Sequence, residues 1–219
     1  MPTIDNSAIR LHFYGTYINL RLGMAAMAAL LPVLVYICGR FNDIPLQDSM
    51  SAYYWATLEK SSPVRIWFVG GLFAIGACLY VYQGFTVGEN FALNFAAAFA
   101  VGVAFFPMEW NCGSSCKPVS AHGVCAVSLF VCLTYVTWFR SRDTLQFLND
   151  PRLEAAYCRG YAIISLVMLA SPLIAVILQS ILGKSGTYIF FIEAAGIWAF
   201  SVFWLVKSLE MRHSKIETP

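Results

Sequence analysis

Six apolar stretches, at about 20–38, 66–83, 91–107, 121–139, 160–182 and 188–206, are each long enough to cross a bilayer, since about 20 residues at a helical rise of 1.5 Å span the hydrocarbon. Lipid offers no partner to a free backbone, so a spanning segment must be a helix or a strand of a closed barrel. The period-two alternation of a barrel strand is absent. The expected fold is therefore all-α, a polytopic membrane bundle of six transmembrane helices, with residues 1–219 forming one integral membrane domain.

Composition agrees. Of the residues 59% are hydrophobic and 12% charged, against a charged fraction of about 25% in soluble domains. The net charge of +2 is small and dispersed, and no basic run or glycine-rich phosphate loop is present, which excludes nucleic acid as a partner. The first twenty residues are polar, so the first span is expected to double as the targeting signal.

Lysine and arginine on the two sides give the orientation. With a cytoplasmic N-terminus, that side holds nine: Arg10, Arg21, Arg140, Arg142, Arg152, Arg159, Lys207, Arg212 and Lys215. The other side holds five: Arg40, Lys60, Arg65, Lys117 and Lys184. Both termini are thus expected in the cytoplasm.

The connection 39–65 carries DSMSAYYW at 48–55, polar and aromatic beside a lipid-crossing helix. In its simplest form this is an interfacial aromatic belt, with Tyr53, Tyr54, Trp55 and Leu58 at the headgroups. Span parity adds a sharper alternative. Residues 48–55, Glu109 at the end of span three, His122 at the start of span four and Glu193 all fall on one membrane face. Glu193 lies about five residues into span six, roughly 8 Å at the helical rise, and an ionisable group inside a span normally turns inward to a partner. Gly196, three positions on, shares its helix face and permits close approach of a neighbour. His122 with Glu193 and hydroxyls from Ser49, Ser51, Tyr53 or Tyr54 would make a cluster able to carry a proton, hold a metal or orient a headgroup. The segment is accordingly expected to fold over the mouth of the bundle and bring one of these hydroxyls to Glu193 or His122. His12 and His213 fall on the opposite side, so the facing histidine pairs of a multi-haem protein are not available.

Cys112 and Cys116, in WNCGSSCKP on the outward face, are expected to pair as a disulfide. The same CxxxC, with Met108, Glu109 and His122, is also the donor chemistry of a copper site. Cys125 and Cys132 share one stripe of span four and suit packing.

The strings SMSAYYW, VRIWFVGGLFAIGACLYVYQG, ENFALNFAAAFAVGVAFFP, the lone His122 and FIEAAGIWAFSVFWLVK together resemble a family of bacterial six-span inner-membrane proteins. The likeness runs from residue 49 to 207 and implies that Ser49, Ser51, Tyr53, Tyr54, Arg65, Glu89, Asn90, His122, Glu193 and Trp198 belong to the family pattern. It implies location in a bacterial inner membrane. Ile66 stands where the pattern has an aspartate, and the Cys112/Cys116 loop is not part of it. A looser similarity exists to the alkaline ceramidase and progestin–adipoQ receptor superfamily, seven-span zinc hydrolases. The paired H-x-x-x-H of their last helix is missing, so zinc would have to be held by His122 with Glu193, Glu109 or Asp48.

Two functions fit these features. One is a membrane protein whose outward-facing polar pocket, formed by Ser49, Ser51, Tyr53, Tyr54, Glu109 and Trp198, binds a lipid, another small hydrophobic molecule or a partner membrane subunit. The alternative is a membrane-embedded hydrolase or transferase acting on outer-leaflet lipid, metal-dependent or not, with His122 and Glu193 as its catalytic or metal-holding residues.

Overall fold

The computed structural model describes residues 6–56, 63–110, 119–181 and 186–214. Its elements are helical: α1 (Asn6–Phe41), a short 3-10 turn (Ser51–Tyr54), α2 (Pro63–Val81), α3 (Val87–Phe105), α4 (Ala121–Tyr135), α5 (Pro151–Val176) and α6 (Tyr188–Ser214). α4 continues through a π-helical turn (Val136–Arg140) into a 3-10 segment (Ser141–Phe147), and α5 runs on into a π-helical turn (Ile177–Ile181). Six helices are long and apolar enough to cross a membrane. The chain is an all-α, six-helix integral membrane bundle.

Several helices outrun their apolar cores. α1 has 36 residues, about 54 Å at 1.5 Å per residue, well beyond the roughly 30 Å of hydrocarbon. The excess precedes residue 20, where polar residues keep helical conformation outside the expected span. At its other end, Asp43 takes a left-handed backbone (φ 55°) while the Ile44 amide bonds the Gly39 carbonyl at 2.9 Å. That geometry closes a helix and turns the chain back. α3 begins at Thr86, whose hydroxyl accepts the Glu89 amide, and α5 begins at Asp150, whose carboxylate accepts the Arg152 amide.

Each helix packs against its neighbours in sequence, and α6 returns to pack on α1, so the six form a closed ring. Small residues set the close seams. A Cβ on Gly76 would stand 3.2 Å from the Ala97 carbonyl of α3, and one on Gly71 would meet Leu31 of α1. The α1–α6 seam carries two hydrogen bonds, Ser201 to the Ala25 carbonyl at 2.7 Å and the Trp198 indole to the Ala29 carbonyl at 3.1 Å.

The two halves of the ring are filled differently. On the side of the α1 N-terminus and α6 C-terminus, Tyr82, Tyr161, Phe203 and Trp204 are fully buried and packed edge to face. Among them lies a charged network absent from the sequence-based expectation. Lys207 and Glu210 pair at 2.9 Å with almost no exposure, Thr144 and Tyr161 donate to Glu210 at 2.5 and 2.6 Å, and Lys207 donates to Thr144 at 2.6 Å. Between α4 and α5 the 3-10 segment buries Ser141, Thr144 and Leu145 in the bundle. On the opposite side the ring surrounds a cavity.

Candidate functional site

The segment 48–55 reaches the cavity because α1 stops at Phe41 and Gly39 leaves room for it. The Tyr53 ring occupies the space of a side chain at residue 39, where a Cβ would stand 2.9 Å from it. Tyr53 is fully buried and packs edge to face on Phe190 of α6. Ser49 caps the 3-10 turn by accepting the Ala52 amide at 3.1 Å. The segment is then tied to three helices. The Trp55 indole donates to the Met108 carbonyl beyond α3 at 2.8 Å, Arg65 of α2 donates to the Tyr54 carbonyl at 2.6 Å, and the Phe190 amide of α6 donates to the Asp48 carbonyl at 3.0 Å. The last bond satisfies an otherwise partnerless amide in the first turn of α6.

Glu193 completes this attachment. Its carboxylate accepts the Met50 amide at 2.6 Å. A carboxylate inside a span therefore finds its partner in the backbone of the docked segment rather than in a side chain.

His122 holds the other end of the cluster. Its Nδ1 lies 2.8 Å from the Phe106 carbonyl, and its Nε2 lies 2.8 Å from the Ser51 hydroxyl. A carbonyl only accepts, so Nδ1 carries the proton, Nε2 is the acceptor, and Ser51 donates to it. The Phe106 carbonyl is free to do this because α3 ends at Phe105 and the next residue is extended. Ser120 caps α4 through the Gly123 amide and sets His122 in its first turn.

These groups sit at one end of a cavity of about 770 Å³, within the range of small-molecule sites. Ser49, Ser51, Glu109, Ser120, His122 and Glu193 line its polar end, while Leu72, Ile75, Leu129, Leu133 and Phe200 line its depth. From His122 to Leu133 along α4 is about 16 Å at the helical rise, the reach of a medium-length alkyl chain. Val124 of α4 and Val176 of α5 line the cavity and are both exposed.

The residues proposed from the sequence thus divide. Ser49, Ser51, Glu109, His122 and Glu193 come together around the cavity. Tyr53, Tyr54 and Trp198 do not line it. Burial of the Tyr53 ring against Phe190 overturns both its expected place at the headgroups and its expected place in the pocket. Tyr54 instead lies beneath the Arg65 guanidinium, 4.4 Å from the ring centre. Trp198 is turned to the α1 seam by its bond to Ala29. Leu58, Cys112 and Cys116 lie outside the described residues, and the disulfide and copper expectations with them. Cys125 and Cys132 are partly buried free thiols packed on the core.

No group of three or more His, Cys, Asp or Glu side chains suited to a metal ion occurs among the described residues. Both nitrogens of His122 already have partners. Zinc therefore does not fit the donor set expected from the sequence. No family model, no curated protein and no solved structure matches the chain.

Proposed function

We propose that this chain is a membrane protein that holds a lipid or other small hydrophobic molecule in its interior, with the polar end at the Ser51–His122–Glu193 cluster. The observation that carries this is the cavity itself: about 770 Å³ of space inside a membrane helix ring, apolar in its depth and polar at one end. Close-packed interiors keep few voids larger than a water. A chamber with that polarity gradient matches an amphiphile, and the exposed lining residues Val124 and Val176 favour entry from the bilayer between α4 and α5. The lysine and arginine balance supports cytoplasmic termini, and the likeness to bacterial six-span proteins supports an inner-membrane location; the site would then open to the outer leaflet. A cysteine at the exposed position Asn149, in a background without other cysteines, should be labelled only from the cytoplasm.

The test of binding is direct. Protein extracted with its surrounding bilayer into polymer particles, then released for native mass spectrometry, should retain a stoichiometric amphiphile. Val127→Trp, which fills the cavity from α4, should lose it while remaining helical. Absence of any bound amphiphile from the unaltered protein, or retention by the filled variant, would overturn this function.

A second reading rests on the 2.8 Å Ser51–His122 contact. A serine hydroxyl donating to a neutral imidazole whose other nitrogen is held is the arrangement that activates a nucleophile. A single contact carries this reading, whereas the whole cavity carries the first, so binding takes precedence. A fluorophosphonate probe that modifies Ser51, and fails to modify a His122→Ala variant, would reverse that order.

A further inference from the structure

We propose that the cavity selects an amphiphile whose polar end is a protonated amine, seated against Glu193 with its chain running toward Leu133. This rests on the binding function above and concerns which headgroup is taken.

The argument is an inventory of donors and acceptors. The Ser51 proton is committed to His122 Nε2, so the Ser51 oxygen presents lone pairs to its surroundings. The His122 proton is committed to the Phe106 carbonyl and is turned away. Ser49 directs its hydroxyl to the Met108 sulfur at 3.5 Å. Glu193 accepts the Met50 amide, whereas a carboxylate facing a cation has about four acceptor sites. The group around Glu193, formed by Ser49, Ser51 and His122, is thus rich in acceptors with its side-chain protons already spent.

Charge points the same way. Glu193 lines the cavity, and among the described residues no lysine or arginine does. A fatty-acid carboxylate or a phosphate would meet like charge there. An ammonium group brings three donors and no acceptor, and its bond to a carboxylate is charge-assisted and roughly twice as strong as a neutral one. An alcohol of the same chain length supplies one neutral donor and should rank between them.

The experiment uses the full chain in lipid nanodiscs and measures competition with a radiolabelled dodecylamine probe. Unlabelled dodecylamine should bind at least about tenfold more tightly than dodecanoate, the ratio equivalent to one charge-assisted contact, with dodecanol between. Glu193→Gln should reduce dodecylamine binding by about tenfold and leave dodecanol within about twofold. A single-chain ethanolamine phospholipid is the third competitor. Equal competition by it identifies a lipid headgroup as the source of the amine, and failure to compete identifies a free amine amphiphile. Dodecanoate binding as tightly as dodecylamine would overturn the headgroup assignment while leaving the binding function intact. If no dodecyl compound bound, the binding function itself would fall.

Discussion

Met50 gives its backbone proton to Glu193 at 2.6 Å across 143 residues of chain. The bond joins the segment after the first helix to the first turns of the last, and it does so within the membrane-crossing length of α6. The docking of residues 48–55 thus depends on a single carboxylate more than on any of the hydroxyls in that segment.

Replacing Glu193 should therefore loosen the segment. Glu193→Ala leaves the Met50 amide without its acceptor and should cost about 1.5–3 kcal/mol, the range for a hydrogen bond to a charged group. Glu193→Gln keeps one acceptor oxygen and should cost less. Hydrogen exchange read at the Met50 amide checks this. Unchanged protection in the alanine variant would show that the other ties suffice.

The Lys207–Glu210 pair should behave as a coupled unit. Lys207→Met alone strands a buried carboxylate and Glu210→Gln alone strands a buried ammonium, each at about 3–5 kcal/mol. The double change Lys207→Met, Glu210→Gln should cost less than the two single changes added, as seen in thermal denaturation midpoints. Simple additivity would mean that the two charges do not stabilise one another.

Gly196 should tolerate no side chain. A Cβ there would fall on the Ser171 hydroxyl and lie 3.2 Å from the Phe130 ring, and overpacking of this kind costs about 1–3 kcal/mol. Adding Ser171→Ala to Gly196→Ala should recover part of the loss. A neutral Gly196→Ala in the same denaturation assay would contradict the close approach of α5 to α6.

Tyr53 supplies a pH dependence. Burial pushes its phenol above the ordinary value of 10.0, so the folded state favours the neutral form. The stabilisation is complete below the unfolded value and is lost as pH rises through the higher folded one. Thermal midpoints measured from about pH 8 to 11 should fall less steeply in Tyr53→Phe than in the unaltered chain. Parallel profiles would mean that the phenol is not held neutral by the fold.

Much of the membrane architecture was legible because hydropathy over about 20 residues is set by the bilayer itself. Parity then located the site face, since counting crossings requires no knowledge of packing. The helix ends were not legible. α6 continues past residue 206 because Lys207 and Glu210 neutralise each other one turn apart, whereas the sequence presented them as the charges that close a span. Their i, i+3 spacing inside a continuing helical pattern was the available signal. Glu89 had entered only through the family resemblance, with no role attached. It sits three residues after Thr86, the spacing of a helix-capping pair, and its carboxylate accepts the Phe85 amide at 2.8 Å. Tyr53 misled because an aromatic beside a span suits either a headgroup belt or a core, and only the gap left by Gly39 decides between them.

The closed ring also imposes an order on biogenesis. Five of its seams join helices consecutive in the chain, so each can form as soon as the later helix leaves the ribosome and enters the bilayer. The sixth, between α1 and α6, has to wait until α6 is made. Until α6 arrives the five earlier helices make an open trough whose inner wall faces lipid, and the Met50 amide has no carboxylate to meet. The chamber and its polar end are thus completed in the same event, the arrival of α6.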